Sequence, residues 1–195
     1  MLLTTRYWKI MTDTLQNPTA QPGQESVQYL LIALAGKVYG IRFDHLQEVL
    51  KYNPEVVAPV PNTVDWLEGI LSLRGVIVSA VSLRAFLGLP RHDSNEISEA
   101  GFDLGIGFGR SVPRLLVGYQ GNLLVGLIVD EIKGVLFVQP DAVTPPAPDS
   151  YIEYGPVSNY LAGVYTDPET KQSTALLDVQ RLITSPAMLQ FEPAV

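Results

Sequence analysis

The stretch Gly69–Leu83, GILSLRGVIVSAVSL, constrains the fold of this 195-residue chain more than any other. Aliphatic and β-branched residues run on both sides of Arg74-Gly75, and glycine supplies the positive φ that a tight turn needs. The sequence therefore predicts a two-stranded hairpin with Arg74 at its tip. Side chains alternate along a strand, which sends Ile77, Val81 and Leu83 to one side and Val76, Val78 and Ala80 to the other. Both sides are apolar. Such a strand is either buried between two layers or half buried, with its second face offered to a partner. An ordinary central hairpin accounts for the aliphatic residues, and a surface arginine at the turn needs no special cause.

The composition narrows what surrounds this hairpin. With 47% hydrophobic and 17% charged residues the chain is expected to fold, as one substantial domain or as two small ones sharing a core. A net charge of -7 disfavours nucleic-acid phosphates and anionic lipid and favours protein partners. The absence of cysteine excludes a disulfide scaffold, a thiolate metal site and a thiol nucleophile. Neither a signal-peptide core nor an apolar run of about 18 residues is present, so no membrane insertion and a cytoplasmic location are expected.

Residues 1–27 are polar and interrupted by Pro18, Pro22 and Gly23, and read as a disordered leader. Order is expected from Gln28: a strand to Leu34, a turn at Ala35-Gly36-Lys37, and a second strand over Val38–Ile41. In Phe43–Leu50 the residues Leu46, Val49 and Leu50 fall at helical spacing, with Asp44 placed to cap and Glu48 exposed. Val56–Pro61 reads as extended because of its prolines. Leu83–Leu87 reads as a short helix stopped by Gly88 and Pro90. Residues 91–112 read as a loop joining two halves. The second half repeats the style of the first, with strands over Arg114–Tyr119 and Leu123–Val129, and Val135–Val138 continuing the sheet. The proline-bearing segment Asp141–Pro146 follows, then strands Tyr160–Tyr165 and Thr174–Asp178 and a helix Val179–Ile183. Many short strands closely spaced mean an all-β barrel or sandwich, and the echo between halves points to two small barrels.

Catalytic patterns are sparse. Gly105–Gly109 has neither dinucleotide nor P-loop spacing. His45 and His92 are far apart and outside any metal-ligand spacing, and His45 reads as a helix-surface residue. No Gly-x-Ser-x-Gly elbow supports a triad. Asp130-Glu131 would form an acid–base pair only if burial separated their pKa values, and two solvated carboxylates is the better reading. No enzyme activity, cofactor or metal is expected.

The hairpin also carries a resemblance. Tyr39-Gly40-Ile41, Leu46-Gln47-Glu48-Val49, Gly69–Val78 and Ser82-Leu83-Arg84 are together similar to the CheW-like chemotaxis adaptor family, as are Val125–Asp130 and Leu176-Leu177-Asp178. The resemblance runs in unbroken order from residue 28 to about 185. It implies an all-β fold of two intertwined five-stranded SH3-like β-barrels with a few short helices. Residues 28–90 and 113–165 would form the two barrels, 173–185 a returning strand and helix, and 186–195 a tail. It also implies a non-catalytic adaptor between methyl-accepting chemoreceptor signalling tips and the regulatory domain of a CheA-type histidine kinase, recruited to membrane receptor arrays. Leu46, Glu48 and Arg74 would then face the receptor, and Gly69 and Gly75 would shape the hairpin presenting Arg74. This chain has Ser79 where the family commonly has proline and Ser82 where it has aspartate; serine can still cap the helix that follows. The long leader and the 91–112 loop leave a regulator of type IV pilus motility or phototaxis as an alternative. A small β-barrel enzyme or ligand binder using Asp130-Glu131 is the alternative from another class.

Overall fold

The computed structural model describes residues 26–90 and 112–189. Before the residue 91–111 stretch lie β1 (Val27–Leu34), β2 (Lys37–Arg42), β3 (Leu46–Lys51), β4 (Leu67–Leu73), β5 (Val76–Ser82) and helix α1 (Leu83–Phe86). After it come β6 (Arg114–Gln120), β7 (Leu123–Val129), β8 (Glu131–Val138), β9 (Val143–Thr144), α2 (Ser150–Tyr154), β10 (Leu161–Thr166), β11 (Ser173–Leu177), α3 (Val179–Ile183) and α4 (Pro186–Leu189). The hairpins form where the sequence predicts them. At the β4–β5 turn both Arg74 (φ 52°) and Gly75 (φ 85°) are left-handed, as are Ala35 and Gly36 between β1 and β2. That double positive φ matches the twist of the flanking strands.

The strands make two sheets, one in the order β8-β1-β2-β11-β10-β9 and one in the order β3-β6-β7-β5-β4. The fold is mostly β, as expected, and the two sheets are interleaved along the chain. Strand pairing does not follow a division into residues 28–90 and 113–165. The six-stranded sheet combines β1 and β2 with the late strands β8 to β11, while β3 to β7 make the five-stranded one. Two parallel pairings, β2 with β11 and β5 with β7, join segments that no hairpin can connect.

Each sheet curls about apolar residues of its own. Tyr29, Val138 and Leu176, backed by Leu136, Val143 and Tyr165, fill the six-stranded one. Leu71, Ala80 and Leu115, with Leu50, Leu73 and Ile128, fill the other, and so draw on all five of its strands. The largest cluster lies between the sheets and takes Leu30, Ile32, Ile41, Val81, Leu116, Leu127, Leu177 and Leu182 among others. The doubly apolar β5 serves both layers, with Ala80 in the cluster of its own sheet and Val81 in the core between the sheets, while Val76 and Ile77 near the turn are exposed.

Several expectations are corrected. Residues 43–50 are not a helix: Phe43–His45 is a single 3-10 turn and Leu46–Lys51 is β3, paired with β6. Long-range pairing overrides a local helical spacing of only three apolar residues. A 3-10 turn, Pro54–Val56, precedes the extended Val57 and Ala58, its first turn capped by Asn53, whose Oδ1 accepts the Glu55 N–H at 3.1 Å. Pro140–Ala142 is likewise a 3-10 turn, so Asp141–Pro146 is extended only in part. Helices α2 and α4 and the 3-10 segment Gly155–Tyr160 have no counterpart in the sequence pattern, and α4 lies in what reads as tail. Of the leader expected over residues 1–27, residues 1–25 lie outside the described residues and Val27 already belongs to β1; residues 91–111 of the loop expected over 91–112, with Gly105–Gly109 and His92, and residues 190–195 of the expected tail also lie outside them. Among the described residues no helix is long and apolar enough to cross a membrane.

Candidate partner-binding surface

The hairpin tip meets the opposite edge of its own sheet. In pairing order β3 and β4 are the two ends of the five-stranded sheet, yet Arg74 Nη2 donates to Glu48 Oε1 at 2.8 Å. The curl of the sheet brings them together. Arg74 is 75% exposed and Glu48 22%, so Glu48 is half-buried on a strand and not, as its helical spacing implied, on an open helix face. An ion pair this exposed contributes roughly 0.2–1 kcal/mol. Its consequence is orientation: Glu48 anchors one edge of the guanidinium and leaves the rest of its fork facing outward.

Two glycines hold this hairpin in place for different reasons. Gly69 sits at a register shift in β4 with φ +150°, and a Cβ there would lie 2.3 Å from the Ala58 carbonyl oxygen. That contact exists because Ala58 and Ile70 exchange backbone hydrogen bonds of 2.8 and 2.9 Å along the β4 edge. Gly75 faces open space and supplies only the turn's φ.

The face of the same sheet that turns away from its own apolar cluster is apolar too, and most of it packs on the core between the sheets. Leu46 lies opposite Gly118, Gly118 opposite Val125, Val125 level with Ser79, and Ser79 opposite Ile70. These positions form one row on one face. The next row toward the hairpin tip holds Gln120 opposite Leu123 and Ser72 opposite Ile77. Helix α3 covers the middle of the face: a Cβ on Gly118 would fall 2.9 Å from Val179 Cγ1 and 3.0 Å from Ile183 Cδ1. Beyond the helix, Ile77 is 70% and Leu123 44% exposed. Leu46 is half-buried against the core between the sheets. The structure thus joins Glu48 to Arg74 directly but does not bring Leu46 to them: across the register shift in β3, Leu46 lies opposite Gly118 and Glu48 opposite Val117, on opposite faces of the sheet. Ile77 and Leu123 are the members that sequence reasoning did not single out as site residues, although the two-sided apolar pattern of β5 carried the signal for Ile77.

The turn leading into β3 is held by charge. Asp44 accepts from Arg42 Nε at 3.0 Å and Nη2 at 2.5 Å, and its carboxyl is held below the usual carboxylate range chiefly by that Arg42 hydrogen bond. Asp44 therefore does not cap a helix; its carbonyl instead accepts the Tyr119 hydroxyl at 2.8 Å. His45 is not a helix-surface residue either. Its side chain is 15% exposed, Nε2 lies 3.9 Å from Asp44 Oδ1, and Nδ1 is buried with no hydrogen-bond partner among the described residues. Burial pushes its pKa below the ordinary histidine value.

Asp130 and Glu131 separate. Asp130 is partly buried against Arg84 and accepts the Ala35 N–H at 2.8 Å, whereas Glu131 pairs with Lys133 at 2.6 Å. One solvated carboxylate and one shielded carboxylate replace the two solvated ones expected. Elsewhere a groove of about 310 Å³ between β9 and α2 is lined by Thr144, Pro145, Asp149, Ile152, Glu153 and Tyr154. The Tyr154 phenol is pushed up to about 12 by burial and the Glu153 hydrogen bond, so it stays protonated at neutral pH.

Two curled sheets that share one core define a mostly-β protein of two interleaved sheets. Residues 28–187 match the family described as CheW-like domain, and the chain belongs to that family. It is 26% identical over 166 residues to the chemotaxis protein CheW of Klebsiella aerogenes, a match spanning 85% of each protein. In fold it is similar to the scaffolding protein TtCheW from Thermoanaerobacter tengcongensis, with a TM-score of 0.62 and 19% identity, covering 88% of this chain and 99% of that one.

Proposed function

We propose that this chain is a non-catalytic adaptor coupling chemoreceptor signalling tips to the regulatory domain of a CheA-type histidine kinase, working in the cytoplasm at membrane receptor arrays. The observation that carries the reading is the family match across residues 28–187, supported by a relative of nearly equal coverage named as a chemotaxis protein. The receptor-facing surface is assigned to Leu46, Glu48 and Arg74, extended by Ile77 and Leu123. Two exposed aliphatic residues, Ile77 and Leu123, near a charged tip suit an amphipathic receptor helix: they take its apolar stripe, and the outward edge of the Arg74 guanidinium takes a carboxylate.

The test is a pull-down with a receptor cytoplasmic fragment and with the kinase regulatory domain, using wild type and Arg74→Glu. Wild type is expected to capture both. Charge reversal is expected to weaken receptor capture by roughly tenfold or more while kinase capture persists. A wild type that captures neither rejects the adaptor reading; intact receptor capture by Arg74→Glu rejects the assignment of Arg74 alone.

A further inference from the structure

Asp130 stands at the step between the two sheets. β7 of the five-stranded sheet ends at Val129, and β8 of the six-stranded sheet begins at Glu131. Its carboxylate binds the guanidinium of Arg84, which belongs to α1 and so to the end of β5 in the five-stranded sheet. The same Oδ2 accepts the N–H of Ala35, in the β1–β2 turn of the six-stranded sheet, and the Asp130 N–H donates to the Ala33 carbonyl at 3.3 Å. Arg84 Nη1 reaches on to the Pro90 carbonyl at 3.1 Å. The two side chains are 12% and 28% exposed.

Desolvation offsets most of the Coulomb attraction of a shielded pair, so raw stability is a poor account of it. Geometry is the better account, because one carboxylate fixes a group from each sheet at the point where the chain crosses between them. We infer that Arg84 and Asp130 form a latch that sets how the two sheets stand relative to one another, and that a change at one sheet reaches the other through it. The first half depends on the geometry alone; the second rests on the adaptor function proposed above.

The chain has no cysteine, so introduced cysteines carry spin labels without background. Labels at Ser72 in β4 and at Glu169 between β10 and β11, both exposed, report the distance between sheets; labels at Lys51 and Ser72 report distance within one sheet. Asp130→Asn keeps the shape and an oxygen for the Ala35 N–H, and Arg84→Lys keeps the charge but loses the fork. Both are expected to broaden or shift the 72–169 distance distribution and to leave the 51–72 distribution as in wild type. An unchanged 72–169 distribution in both variants overturns the latch. Equal broadening of both distances also overturns it, because the pair would then be holding the whole fold and not the junction.

A binding measurement tests transmission. In wild type, saturation with the kinase regulatory domain is expected to change affinity for the receptor fragment by roughly fivefold or more, and the reverse experiment to give the same factor. Asp130→Asn is expected to bring that factor toward one while each separate affinity persists, and an unchanged factor overturns transmission. A wild type that binds neither fragment would reject the adaptor function, and the label distances would still decide the latch.

Discussion

Gly69 and Gly75 occupy opposite ends of the same hairpin arm, and their replacement separates two kinds of strain. Gly75→Ala meets no neighbour, so its cost is the left-handed φ alone, about 1–2 kcal/mol. Gly69→Ala adds a methyl group 2.3 Å from a backbone oxygen that is itself hydrogen-bonded, and is expected to cost on the order of 3 kcal/mol or more. Urea midpoints of the two variants check the difference. His45 makes a prediction in pH. Its folded pKa is depressed by burial, so on acidification the unfolded chain takes up the proton first, and stability falls from near the unperturbed value of about 6.5 downward. Asp44 acts in the same direction in a lower window, because its depressed folded pKa gives stability that is lost only as pH drops through the carboxylate range. His45→Gln is expected to flatten the dependence of the urea midpoint in the upper window and leave the lower one in place. At this scale the candidate site was only half legible. Arg74 is visible in the sequence as a charge at a turn, but its partner Glu48 lies on another strand, and only the curl of the sheet brings the two together.

Two helix caps compare a strong and a weak version of one device. Asp178 Oδ1 accepts the Arg181 N–H at 2.9 Å and starts α3, while Ser82 Oγ accepts the Ala85 N–H at 3.4 Å and starts α1. Asp178→Ala is expected to cost about 1 kcal/mol and Ser82→Ala about 0.5 kcal/mol, read from thermal or chemical denaturation. Ser82→Asp is expected to be neutral or slightly stabilising, because aspartate and serine rank alike as caps. Elements whose information is local are the ones that could be read from the chain: the hairpins at Ala35-Gly36, Arg74-Gly75 and Gly121 carry their own turn chemistry, and α1 and α3 carry their own caps. β3 could not be read that way, since its identity depends on β6, and neither could α2, a five-residue helix behind Pro145, Pro146 and Pro148. A helix so short has little intrinsic preference and forms because of what surrounds it.

At the scale of the molecule the interleaving of the sheets governs behaviour. A fragment of residues 26–111 would hold β1 and β2 without β8 and β11, and β3 without β6. It is expected to be unfolded, with no dispersed amide resonances and no sheet signal in circular dichroism, and a folded fragment would contradict the topology. The parallel pairing of β2 with β11 has a consequence in time as well. Synthesis delivers β3 to β7 as an unbroken series, so the five-stranded sheet is able to assemble once Val129 has left the ribosome. The β1–β2 hairpin emerges before any of them yet awaits β8 on one side and β11 on the other, two strands made after the whole five-stranded sheet. Its open edges are the part of the nascent protein that a chaperone would need to shield longest.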